Sequence, residues 1–229
     1  MKKKLRFSIG APVTLFIFIA SLVILILDEC VFKGKATQNI FSCPAAKGES
    51  IFRFTVPINY FRLILHPLGQ SGLILFFAES ALLLSLGRQA EETYGKPVLI
   101  IMVVFSSLVA GVLNACLGNC LMQGLSPIIF TLVLLSLNGF QNKGTIYLPN
   151  LILILLYLVF RVYVSLKSES AYIEQDAGKI KDLLNHCIPA LISFAGGVAG
   201  SLFAFLSTKG KSSRKGRIRN NGDTTEVTL

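Results

Sequence analysis

The chain has 229 residues, of which 53% are hydrophobic and only 15% charged, and its mean hydropathy is +0.66. A soluble domain carries about a quarter charged residues, so this composition excludes that class and points to an integral membrane protein. The net charge of +10 does not mark a nucleic-acid binder, because Lys and Arg gather at the two ends and beside apolar runs. In those places they set topology and meet anionic lipid.

The Lys-rich start, Met1 to Arg6, is followed by an uncharged run from Phe7 to Leu27. A signal peptide has a shorter apolar region and a small-residue cleavage site, which Asp28-Glu29-Cys30 does not supply. The run therefore reads as a first transmembrane helix. A mixed loop to Pro57 leads into Ile58 to Gly69, where aromatics and Arg62 suit the membrane interface.

Leu68 to Leu86 forms a second span, with Glu79 its only ionisable residue. A carboxyl at that depth must face a cavity or a partner, and is expected to be protonated. Gly87 to Pro97 is a polar turn. Val98 to Leu117 is the third span, with Ser106, Ser107, Gly111 and Asn114 as small or polar packing positions.

The fourth apolar run, Pro127 to Leu137, is roughly 17 Å long as a helix against a hydrocarbon core of roughly 30 Å. This helix must begin inside the membrane. Gly118 to Leu125 then enters as irregular backbone, which is tolerated only when packed in protein or lining a wet cavity. Ser126-Pro127 has the chemistry of a helix start, serine as N-cap and proline as first helical residue. Ser126 is thus a cap, unless a base lies near enough to make it a nucleophile.

Leu148 to Leu166 is the fifth span, with Arg161 close enough to its end to snorkel. Cys187 to Ser207 is the sixth and contains Gly196, Gly197 and Gly200, which let another helix approach closely. The basic tail after Ser207 reads as disordered. Six spans put both basic termini on one side, the cytoplasm, in the cell (inner) membrane. The expected fold is an all-α, polytopic six-helix bundle in three parts: residues 1–57 with the first helix, a membrane core over 58–207, and a tail over 208–229. Cys30 could pair with Cys43, but five cysteines is an odd number and buried thiols are the commoner outcome. No metal spacing, cofactor or nucleotide motif is present.

From about Tyr60 to Phe205 the chain resembles the rhomboid family of intramembrane serine proteases, particularly the compact six-helix bacterial forms. The resemblance rests on Tyr60-Phe61-Arg62, Leu65-His66-Pro67-Leu68-Gly69, the glycine-spaced Gly87, Glu91 and Gly95, Gly124-Leu125-Ser126, and the glycines Gly196 and Gly200. It implies a Ser/His dyad with Ser126 as nucleophile, since a serine hydroxyl needs a base within about 3 Å. The dyad histidine falls on Ser193. Of the two histidines, His186 is displaced by about 10 Å along the helix and His66 sits in the first-loop region. The family's oxyanion positions fall on Leu75 and Glu79, with Gln70 where a further histidine often stands, and Pro127 replaces a glycine.

These departures point to a rhomboid-like protein without protease activity that binds transmembrane segments of client proteins, with Glu79, Ser126 and Ser193 as a polar cluster. The alternatives are an atypical serine protease with Glu79 as base and a small transporter, which would need a second ionisable partner inside the membrane. Glu91 reads as a cap or loop anchor, and the glycines as packing positions.

Overall fold

The computed structural model describes residues 10–47, 51–137, 148–169 and 187–207. The described residues are mainly helical and include no strand. Helix α1 (Pro12–Leu27) opens with proline in its first turn, where a missing N–H costs nothing. It runs on through a widened turn, Asp28–Phe32, into a short α2 (Lys35–Asn39). The Asp28 carboxylate caps α2 by accepting the Ala36 and Thr37 N–H groups.

The remaining helices are α3 (Ile58–Leu65), α4 (Leu73–Tyr94), α5 (Lys96–Leu117), α6 (Ser126–Leu137), α7 (Leu148–Glu169) and α8 (Cys187–Ser207). Four helical segments are long and apolar enough to cross a membrane: Pro12–Phe32, Leu73–Tyr94, Lys96–Leu117 and Cys187–Ser207. The other two expected spans correspond to shorter apolar helices, Ser126–Leu137 and Ile152–Val164 within α7. The chain is therefore a multi-helix membrane protein. The expected tail, the N-terminal lysines and His186 lie outside the described residues.

Helix α6 is the axis of the bundle. Its twelve residues include ten that are buried, and a helix apolar on every side belongs in an interior. It packs against α4, α5 and α7. The α8 glycines bring that helix to within bare contact: a Cβ on Gly197 would run into Phe130, one on Gly200 into Thr131, and one on Gly196 into Ala110 of α5. The stripe expected to allow close approach does so, against both α5 and α6. The polar positions of α5 are used in the same packing. Thr131 donates to the Ser106 hydroxyl at 3.0 Å, and Ser106 donates to the Pro127 carbonyl at 3.1 Å.

The glycine-spaced glutamate joins α4 to α1. Gly87 faces Thr14 so closely that any side chain would strike it. One turn on, the buried Glu91 carboxylate accepts the N–H groups of Val13 and Thr14 and the Thr14 hydroxyl at 3.1–3.2 Å. Glu91 is thus a cap, as expected, but of another helix. It satisfies the N-terminus of α1 and sets α1 antiparallel to α4. The polar turn expected over Gly87 to Pro97 is helix as far as Tyr94, its buried Glu91 and Gly87 serving contacts with α1, and Gly95 alone separates α4 from α5, at φ +84, a left-handed geometry that glycine adopts without strain.

Arg62 does not face the lipid headgroups as its place in an interfacial helix suggests. It turns inward, donating to the carbonyls of Ser42 at 2.6 Å and Gln38 at 2.7 Å and to the Ser42 hydroxyl at 3.0 Å. Asn59 is buried beside it, while Tyr60, Phe61 and Ile64 point outward. Helix α3 therefore turns polar residues inward and apolar ones outward, the reverse of a helix on a soluble protein.

Candidate functional site

The site lies where α6 begins. The chain reaches it through residues 118–125, irregular backbone whose polar groups are met by protein. Cys43 and Met122 exchange two backbone hydrogen bonds, at 2.7 and 3.0 Å. The buried Asn114 amide donates to the carbonyls of Cys43, Pro44 and Cys120, each at 3.2 Å. These bonds meet the condition for irregular backbone at membrane depth. Gly124 takes φ +103, and a Cβ there would stand 3.3 Å from Glu79 Oε2. Glycine is therefore needed both for the turn and for room beside the carboxylate.

Glu79, fully buried on α4, is the hub. Its Oε2 accepts the Leu125 N–H at 2.7 Å. Its Oε1 accepts the Ser126 hydroxyl at 2.6 Å and the Tyr157 hydroxyl at 2.9 Å. Arg161, one turn beyond Tyr157 on α7, places Nη1 3.6 Å from the same oxygen. Each of these neighbours can donate a hydrogen bond to Glu79, and one of them is a cation.

Three expectations change here. Ser126 is the first residue of α6, not its cap: the Leu125 carbonyl accepts the first-turn bond from Ile129, and the capping acceptor is the Glu79 carboxylate, favoured by the positive end of the helix. Arg161 does not snorkel outward, because Glu79 holds it inward; it is the second ionisable partner that the sequence did not reveal. Ser193 does not join the cluster. Its hydroxyl donates to Pro189, one turn back in its own helix, at 2.8 Å.

Leu75 and Glu79 are both buried on one face of α4. Leu75 offers no donor and Glu79 is an acceptor. His66 is fully buried, with Nδ1 donating to the Leu63 carbonyl at 3.1 Å and Nε2 without a partner among the described residues. Burial pushes its pKa down to about 4, against smaller opposing effects of the Leu63 and Arg62 carbonyls, so the ring is neutral at physiological pH. Gln70 is also buried, its amide without a partner among the described residues. All five cysteines are free thiols. Burial pushes Cys43 up to about 12 despite nearby Arg62, which leaves it unreactive.

Tyr157 was not legible as a site residue. The available signal is its spacing from Arg161. Two polar groups four residues apart in an apolar span share one face, and in a membrane that face turns inward. The Tyr157 ring also meets Phe130 edge-on at 4.9 Å, and Phe130 meets Phe194 of α8 at 5.5 Å, so one aromatic row ties α7, α6 and α8 together.

No protein-family model matches this chain, and no curated protein matches it.

Proposed function

We propose that this is a rhomboid-like, non-proteolytic protein of the cell (inner) membrane, with both termini cytoplasmic, that binds transmembrane segments of client proteins. The observation that carries the non-proteolytic reading is the state of Ser126: its hydroxyl is buried and donates to a carboxylate that three other donors also hold. An oxyanion formed at this serine would develop beside that negative charge. The Leu125 N–H points at Glu79, Pro127 has no N–H, and Leu75 has no donor to offer. Each missing oxyanion donor costs about 10²–10³ in rate.

Client binding is supported by how α4 and α7 meet. Among the described residues their backbones scarcely approach each other, and Tyr157 and Arg161 bridge to Glu79 through side chains instead. A seam closed by polar side chains between two helices that each expose an apolar face, Phe77 and Leu84 on α4 and Leu155 and Leu156 on α7, is a place for a single helix to dock from the bilayer, gaining packing and hydrogen bonds that lipid does not offer.

A second reading, an atypical serine protease with Glu79 as base, draws on the 2.6 Å contact between Glu79 and Ser126, within the reach required of a base. Fluorophosphonate labelling of the purified protein separates the two, with Ser126→Ala and an active rhomboid as references. No labelling beside a labelled reference is the expected result. Labelling that Ser126→Ala abolishes would overturn it. Client binding is tested with fluorescent single-span Leu/Ala peptides carrying an acidic, neutral or basic residue in phosphatidylcholine nanodiscs, where saturable association of at least one is expected and its absence for all of them would sink the reading.

A further inference from the structure

Arg161 is poorly satisfied for a guanidinium held inside a membrane protein. Its one charged neighbour among the described residues is Glu79, at 3.6 Å, beyond good hydrogen-bond distance. The oxygen it faces, Oε1, already accepts two hydrogen bonds, from Ser126 and Tyr157, and a carboxylate oxygen has about two lone-pair sites. Arg161 Nε is buried with no acceptor among the described residues. The pair therefore attracts through charge while leaving the buried Nε donor unspent. Such a group at membrane depth calls for further acceptors.

The Arg161 side chain is 12% exposed, so it remains within reach of something arriving at the seam. Its depth restricts what that can be. Glu79 lies six residues into α4, which begins at Leu73, or about 9 Å along the axis. Arg161 lies level with Glu79. A lipid phosphate belongs to the headgroup layer above the hydrocarbon, whereas a side chain on a transmembrane helix reaches this depth directly. The planar fork of arginine suits a carboxylate, which it can hold with two parallel hydrogen bonds.

We infer that Arg161 is the specificity-determining residue for client segments, selecting helices that carry an Asp or Glu about two turns below their outer end. The inference rests on the client-binding reading and names what such a client must carry. A helix bearing Arg or Lys at the same depth is repelled.

The test uses three synthetic single-span Leu/Ala peptides carrying Asp, Ala or Arg six residues from one end, with the protein in phosphatidylcholine nanodiscs. Wild type is expected to bind the Asp peptide at least about tenfold more tightly than the Ala peptide and the Arg peptide least, in line with the strength of buried charge pairs. Arg161→Met should make the Asp and Ala peptides equal. Arg161→Lys, which keeps the charge without the fork, should retain part of the preference. Melting curves report folding, and if Arg161→Met does not fold, the wild-type peptide series and Arg161→Lys decide the matter.

Equal binding of the Asp and Ala peptides by wild type overturns the inference and leaves the client-binding reading standing. A preference that survives in Arg161→Met overturns it too. If phosphatidylglycerol in the nanodisc removes the preference in wild type, Arg161 serves lipid phosphate and the assignment to clients is wrong. If none of the peptides binds saturably, the client-binding reading falls with the inference.

Discussion

The Ser126 hydroxyl and Glu79 Oε1 lie 2.6 Å apart although 47 residues separate them in the chain. The same carboxylate takes the Leu125 N–H, so the start of α6 is fixed by a side chain of α4 rather than by its own serine. Glu91 does for α1 what Glu79 does for α6. Helix α4 therefore carries two capping carboxylates, each satisfying the N-terminus of a different neighbour. Each contact pins the start of one neighbouring helix to a fixed level on α4.

Glu79→Leu should destabilise the protein by about 3–5 kcal/mol, because it leaves Arg161 as an uncompensated buried charge and strands three hydrogen-bond donors. Removing both charges in Glu79→Leu/Arg161→Leu should cost less than the sum of the single changes. A double-mutant cycle on thermal unfolding in one detergent measures the difference. Additive effects would show that the two groups do not interact.

Glu91→Ala should cost about 1–2 kcal/mol, the range for loss of a helix cap, with Glu91→Gln losing less because one acceptor oxygen remains. The local readout is hydrogen exchange at the Val13 and Thr14 amides, which should speed up selectively in Glu91→Ala. Unchanged protection there would mean that α1 is capped by something else.

Gly197→Ala should cost about 1–3 kcal/mol, because the added methyl meets Phe130 and its backbone and α8 must move off α6 to make room. Gly72→Ala is the control: nothing lies within 4 Å of its Cβ position and its φ of 164 is extended backbone. Melting temperatures of the two variants should separate clearly. Equal values would place α8 elsewhere.

Stability should fall on acidification because of His66. Its folded pKa, about 4, lies below the ordinary value of 6.5, so the unfolded chain binds the proton more readily. The contribution is complete above pH 6.5, declines as pH falls, and is lost near pH 4. Its ceiling is about 3 kcal/mol, from about 1.4 kcal/mol per pKa unit. Unfolding measured at several pH values between 4 and 7 should show this slope in wild type and a shallower one in His66→Gln. Parallel slopes would assign the acid sensitivity to other groups.

The sequence by itself determined that this is a helical membrane protein. Hydropathy located the four helical segments long and apolar enough to cross a membrane, because transfer of an apolar run into lipid is a local property of that run. It also determined that α6 is short and that the glycines of α8 permit close packing, since length and missing side chains act at the position where they occur; it ended the second span too early, at Leu86, because the polar residues after Gly87 that read as a turn are the last two turns of α4. It marked Glu79 as a residue needing a partner, because a carboxyl in hydrocarbon is costly wherever it points.

What that partner is, only the tertiary structure decided. Tyr157 and Arg161 reach Glu79 from α7, the carboxylate replaces Ser126 as the cap of α6, and Ser193 turns back on its own helix. Arg62 and Arg161 both read as interfacial from their positions in sequence, and both turn inward. A long side chain can place its charge several ångströms to either side of its backbone. The choice is made by which acceptors the neighbouring helices present: the carbonyls of Gln38 and Ser42 in one case, the Glu79 carboxylate in the other. Those acceptors come together only when helices distant in sequence pack.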